Sequence, residues 1–278
     1  MKLAKAVEKA KKEREKIKSP GEKKTKQSQS PHGNSKSADW SSPVYDESQL
    51  IKFDMKKAID NKCISLLPDA VENEFYKVLR ARVQQVTSAK NWKTIMVTSA
   101  CPGDGKTLTS INLAVSMAKE LNQTVLLMDN DLRCQSICRY MGIASDLGLA
   151  DYFERDISFK DLIIWPGIDK LTIISGKRTI TESAELLGSH KMQELVAEIK
   201  GRYDDRYIIF DMPPVLGSAD VISFAPMVDS ILMVVQEGKT SIQDVKKAVD
   251  LIPEEKFLGF VLNRQKRISK KIFNYLYR

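Results

Sequence analysis

Histidine is almost missing from this chain: there are two in 278 residues, His32 and His190. His32 lies in a polar stretch, so catalysis through imidazole is not expected. Long apolar runs are also missing. None approaches the ~20 residues that a membrane-spanning helix needs. The first residues are charged and contain no apolar run of the secretory kind, so neither a span nor a leader is expected. Cysteine is scarce: Cys63, Cys101, Cys134 and Cys138 form neither a disulfide framework nor a paired Cys-x-x-Cys zinc pattern. Free thiols of a reducing compartment are expected instead. Acid is under-represented in one region only. Residues 1–40 hold 12 Lys/Arg against 5 Asp/Glu, a net +7, which leaves about +1 for the remaining 238 residues. So neutral a body argues against a nucleic-acid-binding face, and no nucleic-acid partner is expected. The basic arm remains able to meet an anionic membrane surface.

Apolar residues make up 42% of the chain, enough for a sizeable core. Residues 1–18 lack Gly and Pro and favour a basic N-terminal helix, with Leu3, Val7 and Ala10 as a narrow apolar stripe. Residues 19–42 are rich in Ser, Lys, Gln, Gly and Pro and cannot bury enough surface to fold alone. With residues 43–66, which look extended or weakly ordered, they make a flexible linker and extended segment over 19–66. A regular pattern begins near residue 67 and continues to about 264, and 265–278 form a basic tail with tyrosines. Within the regular part, a helix is predicted from about Ala70 to Thr87. Strands are predicted at Thr94–Ser99, Thr124–Met128, Leu171–Ile174, Tyr207–Phe210, Ser230–Val235 and Phe257–Leu262, with helices at Leu108–Leu121, Lys191–Lys200 and Ser241–Leu251. Short apolar strands alternating with helices predict an α/β fold, a mainly parallel sheet with helices on both faces.

Three stretches carry chemistry. Ala100-Cys101-Pro102-Gly103-Asp104-Gly105-Lys106-Thr107 is a phosphate-binding loop with alanine at its first glycine, placed between a strand and a helix. Backbone N–H groups over Pro102–Leu108 and the positive helix end can cradle phosphate oxygens. Lys106 would reach the β- and γ-phosphates, and the Thr107 hydroxyl would ligate Mg²⁺. In Leu126-Leu127-Met128-Asp129-Asn130-Asp131-Leu132-Arg133, Asp129 and Asp131 stand two apart and face one side of an extended chain. In Tyr207-Ile208-Ile209-Phe210-Asp211-Met212-Pro213-Pro214, an acid closes an apolar strand, and Asp211 would hold Mg²⁺ directly or through water. ATP and Mg²⁺ are the implied ligands. Asp129 or Asp131 is the candidate acceptor for a hydroxyl proton, and spacing alone does not choose between them.

Together these motifs resemble the bacterial tyrosine kinases of exopolysaccharide systems, the BY-kinases, and the basic helical N-terminus with its polar linker looks like their exosortase-associated type. These are deviant P-loop ATPases related to MinD and ParA, so the resemblance implies a MinD/ParA-like P-loop NTPase fold. It covers about residues 60–264. Cys101 stands where MinD and ParA types carry a signature lysine. Glu74-x-x-Lys77-x-x-Arg80 is similar to the family's Glu-x-x-Arg-x-x-Arg oligomerisation helix. Lysine at 77 keeps the charge but not the bidentate fork. Val261-Leu262-Asn263-Arg264 is similar to the segment whose asparagine reads adenine.

The resemblance further implies transfer of the ATP γ-phosphate to C-terminal tyrosines, here Tyr275 and Tyr277, with Lys106, Asp129 and Asp131 catalytic and Thr107, Asp129 and Asp211 at the metal. An alternative for the end of the chain is that Phe273, Tyr275 and Tyr277 form one apolar face that docks on the body. Self-association as a ring or dimer is implied, as is a separate membrane activator of the polysaccharide chain-length-determinant type. The expected location is cytoplasmic, peripheral to the inner membrane. Two competing readings are a switch ATPase of the MinD/ParA kind and a non-catalytic nucleotide-binding scaffold of an export complex.

Overall fold

The computed structural model describes residues 49–67, 70, 72–155 and 157–265. They fall within one compact unit of the chain, Trp40–Arg278. The segment 1–18, most of the linker, and Tyr275 and Tyr277 lie outside the described residues. The first half of the chain supplies β1 (Gln49–Leu50), α1 (Met55–Asp60), α2 (Asn73–Ala89), β2 (Thr94–Ser99), α3 (Lys106–Ala118), β3 (Thr124–Asp129), α4 (Ile137–Met141) and α5 (Leu149–Arg155). Next come β4 (Ile164–Trp165), β5 (Leu171–Ile174), α6 (Ser183–Leu187), α7 (His190–Gly201), β6 (Arg206–Asp211), α8 (Asp220–Phe224), β7 (Ser230–Gln236), α9 (Ile242–Asp250) and β8 (Phe257–Asn263).

The eight strands form one sheet in the order β1-β4-β5-β3-β6-β2-β7-β8, parallel at every pairing except β4 with β5. Successive strand residues point to opposite faces, and each face meets its own core. Met96, Leu126, Met128, Ile208, Phe210, Ile231 and Met233 pack on one side, with Phe210 edge-on to Phe224 of α8 at 4.8 Å. Ile95, Val97, Val125, Leu127, Ile209, Leu232 and Val234 pack on the other, against α3. Burial on both faces is why β2, β3 and β6 read as near-continuous apolar runs rather than alternating ones.

The six predicted longer strands form at their predicted places, the ends shifting by no more than one residue. Residues 49–66 differ from the expected extended or weakly ordered stretch. β1 pairs with β4, and Asp54 caps α1, its Oδ1 accepting the Lys57 N–H at 3.1 Å. Cys63 is fully buried, and burial pushes its thiol up to about 12. Asn112 of α3 accepts the Ser65 N–H at 2.8 Å. These contacts join residues far apart in sequence, and a two-residue strand has no period to read.

Candidate nucleotide site

β2, β3 and β6 are neighbours in the sheet, and all three end on the same side. The phosphate loop leaves β2. Gly103 and Gly105 take φ +86° and +98°, a left-handed backbone that favours glycine. A Cβ on Gly105 would also stand 2.0 Å from Asn263 Nδ2.

The loop is braced from outside. Asp104 is fully buried, and its carboxylate accepts the Cys101 N–H at 3.1 Å and the Thr240 hydroxyl at 2.7 Å. Asn263 Nδ2 donates to the Asp104 carbonyl at 2.8 Å, and Lys239 Nζ to the Pro102 carbonyl at 3.3 Å. Asp104 and Asn263 therefore hold the loop's shape. Neither Thr240 nor Lys239 was singled out by motif, because their role depends on β7 and β8 lying beside β2.

Inside the loop, Lys106 Nζ meets Asp131 Oδ2 at 2.6 Å. Burial alone would lower the Lys106 pKa, but the charges of Asp211, Asp131 and Asp129 outweigh it and hold the ammonium charged. Asp131 Oδ1 accepts the Cys134 N–H at 2.9 Å. β3 and β6 pair in register with Asp129 opposite Asp211, so two buried carboxylates stand side by side. Asp129 Oδ2 caps α4, accepting N–H groups of Ser136 at 2.9 Å and Ile137 at 3.0 Å, while Oδ1 has no hydrogen bond. Asp211 Oδ1 accepts the Ser110 hydroxyl at 3.0 Å. Its Oδ2 makes no hydrogen bond of normal length, although the Thr107 hydroxyl is near enough to favour the charged form. Burial raises the pKa of both acids, and the charge of Asp211 raises Asp129 further.

Three aspartates thus face one lysine, with two carboxylate oxygens left over. A divalent cation between Thr107, Asp129 and Asp211 would answer both the charge and the orphaned oxygens. Among the described residues, no group of three or more His, Cys, Asp or Glu side chains converges on one metal position.

A cleft of about 360 Å³ opens over this set, lined by Pro102, Gly103, Gly105, Lys106, Thr107, Asp131, and Arg133, Arg139 and Arg264. Asp129 does not line it. Arg133 and Arg264 stand at the ends of two quoted motifs, but motif reading gave none of the three arginines a role, because they come from separate segments. A second cleft of about 710 Å³ shares Gly105, Leu108, Tyr140 and Arg264 with the first and adds Phe75, Tyr76 and Asn263. Each is within the size range of small-molecule sites.

The other predicted residues lie apart from the acids. On α2, Glu74 and Lys77 pair with each other at the surface. Arg80 is engaged within the chain, at 2.5 Å from Glu120 and donating to the Ser116 carbonyl at 2.9 Å.

A phosphate loop opening a buried helix, flanked by acids at neighbouring strand ends, defines a P-loop nucleotide-binding protein. The AAA domain family AAA_31 matches residues 92–257, more than half of the chain. The tyrosine-protein kinase YwqD of Bacillus subtilis is 30% identical over 210 residues, covering 75% of this chain and 87% of YwqD. The crystal structure of the VpsO kinase domain is 30% identical, with a TM-score of 0.59, over 70% of this chain and 98% of that one. The fold extends to the septum site-determining protein MinD of Pyrococcus horikoshii, at 22% identity and a TM-score of 0.50 over 66% of this chain and 76% of that one. The chain belongs to the bacterial tyrosine-protein kinases, on the P-loop fold of the AAA domain family.

Proposed function

We propose that this kinase is an ATP- and Mg²⁺-dependent autokinase that phosphorylates Tyr275 and Tyr277 on a neighbouring copy and so regulates exopolysaccharide or capsule synthesis and export. The observation that carries the reading is the convergence of Lys106 with Asp129, Asp131 and Asp211 beneath one cleft.

In the transfer, the tyrosine oxygen bonds to the γ-phosphorus as that phosphorus parts from the β–γ bridging oxygen. ADP leaves with the electron pair, and the tyrosine proton passes to a carboxylate. Thr107, Asp129 and Asp211 would hold Mg²⁺, which when bound offsets charge on the phosphate oxygens. Lys106 would leave Asp131 for the β- and γ-phosphates, which offer it more negative charge. Asp131 would then be free to accept the proton. Its place in the cleft wall supports it over Asp129, which does not line the cleft. The backbone of the loop orients the phosphates, and Asn263 with the aromatic second cleft suits the adenosine end. Glu74, Lys77 and Arg80 would contribute to self-association. A separate membrane activator of the polysaccharide chain-length-determinant type is the proposed partner, the basic arm adding attraction to anionic lipid. No helix among the described residues is long and apolar enough to cross a membrane.

The test is to incubate purified protein with ATP and Mg²⁺, with and without the activator's cytosolic segment, and to map phosphotyrosine by mass spectrometry. Lys106→Met is the control. Phosphotyrosine at Tyr275 or Tyr277 in the parent chain alone is expected. Phosphate release without phosphotyrosine would sink the reading in favour of a switch ATPase. Nucleotide binding with neither product, activator present, would favour a scaffold.

A further inference from the structure

One cation of the cleft takes its orientation from two distant elements. Arg133 stands two residues beyond Asp131 and lines the cleft with Lys106, Thr107 and Ser218. Its side chain is 48% exposed, and the rest of it is held from behind. Arg133 Nε donates to the Ser183 hydroxyl at 3.1 Å, and that hydroxyl donates to Asp220 Oδ2 at 2.8 Å. Arg133 Nη2 stands 3.7 Å from Asp220 Oδ1, which makes no hydrogen bond. Ser183 opens α6 and Asp220 opens α8, and both are fully buried. The segment before α6 is fastened to the same loop as Arg133, Ile180 N–H donating to the Leu132 carbonyl at 3.0 Å.

A buried carboxylate needs a paired charge. Among the described residues, Arg133 is the cation that forms an ion pair with Asp220. A pair that served stability alone would do better at hydrogen-bonding distance and away from water. Here the guanidinium is drawn between a buried anion and an open cleft. Arginine carries five donors in a rigid fork, so Nε and Nη2 can be held while the remaining donors serve a second anion.

Position says which anion. The loop's N–H groups and Lys106 serve the phosphates nearest the loop. Arg133 follows the end of β3, beyond Asp131. Ser218, whose hydroxyl accepts the Asp220 N–H at 3.1 Å, lines the cleft from the segment that follows β6 and Asp211. The phosphate placed between those two strand ends is the third one, which ADP lacks.

We propose that Arg133 contacts the γ-phosphate of bound ATP, and that Ser183 and Asp220 are positioning residues that aim it there. The proposal rests on the nucleotide-site part of the reading above and adds a group that tells ATP from ADP. During transfer the same contact offsets charge on the moving phosphoryl group.

Titration calorimetry reads this contact, using the full-length, phosphatase-treated chain with Mg²⁺ and either ADP or the β,γ-imido analogue of ATP. The parent should bind the analogue more tightly than ADP. Arg133→Gln should weaken the analogue about tenfold, as for a lost charge-assisted hydrogen bond, and leave ADP within about twofold. Ser183→Ala and Asp220→Asn should shift the same ratio in the same direction by less. Adding either change to Arg133→Gln should alter the ratio no further, since both residues act through the guanidinium. Thermal melts confirm that each variant is folded, and Ser183→Ala completes the cycle where Asp220→Asn does not fold. Equal losses for both nucleotides, an unaltered ratio in Arg133→Gln, or additive effects within the cycle overturn the proposal. So does a parent without preference for the analogue. None of these readouts involves phosphotyrosine. A chain that selects the analogue through Arg133 yet makes no phosphotyrosine keeps this contact and loses the kinase reading.

Discussion

Asp129 is where function costs this chain stability. Burial and the charge of Asp211 raise its pKa, and one of its oxygens finds no donor. Above the ordinary aspartate value of about 3.9 and below its raised value, the folded chain holds more protons than the unfolded one. Stability contributed by this group therefore falls as pH rises through that window. Asp129→Asn keeps an oxygen to cap α4 and removes the repulsion. It is expected to stabilise the nucleotide-free chain by on the order of 1 kcal/mol. The gain should be larger at about pH 8 than at about pH 5 by the same linkage, read as urea midpoints at the two values. A gain independent of pH would mean that Asp129 is not the titrating acid. Lys106→Met removes the single ammonium set against three carboxylates, and should reduce phosphotyrosine formation by at least about 10²-fold, the scale of losing one preorganised charge donor.

The turn between β7 and α9 acts as an element on another element, the phosphate loop. Thr240→Val deletes a hydroxyl donor and leaves one oxygen of the buried Asp104 carboxylate with a lost partner. A loss of about 1–3 kcal/mol in stability is expected, with a higher KM for ATP and a smaller change in kcat, because the turn touches the loop and not the reacting atoms. Equal falls in kcat and kcat/KM would instead place Thr240 in the transition state. On α2 the contrast runs within one motif. Arg80→Ala should destabilise by about 1–2 kcal/mol, since it leaves Glu120 and the Ser116 carbonyl without their partner. Glu74→Ala and Lys77→Ala should shift stability by less than about 0.5 kcal/mol, as a surface pair. Sedimentation then asks the separate question of self-association, where a shift for Glu74 or Lys77 with unchanged melting would assign these two to the interface.

Elements such as these also mark what a sequence discloses. The phosphate loop, Asp129 and Asp131, and Asp211 were legible because each is local: a strand, then the residues that close it. Thr240 and Lys239 were not, because only strand order brings them to the loop; nor was the bond of Ser110 to Asp211, which needs β6 beside β2. β1 and β4, with two residues each, were invisible for a different reason. Their pairings, β1 with β4 and β4 with β5, carry no pattern within either strand.

At the scale of the whole molecule, charge and fold are segregated. The α/β body could be anticipated from buried runs alternating with helices, since a sheet covered on both faces demands apolar residues at every strand position. The first 40 residues contain almost no such runs and instead hold +7 of the chain's +8. That division predicts a behaviour the body would not show. Near an anionic bilayer each basic residue held at the surface contributes about 1 kcal/mol, an attraction that fades within a Debye length as salt rises. The full chain should therefore co-sediment with vesicles containing acidic lipid at low ionic strength and release at about 0.5 M salt. Replacing Lys2, Lys5, Lys9, Lys11 and Lys12 by Gln should weaken that binding, while kinase activity in solution stays as before. Binding that survives both salt and these substitutions would transfer the membrane contact from charge to the apolar stripe of Leu3, Val7 and Ala10, and Leu3→Ser with Val7→Ser would then abolish it.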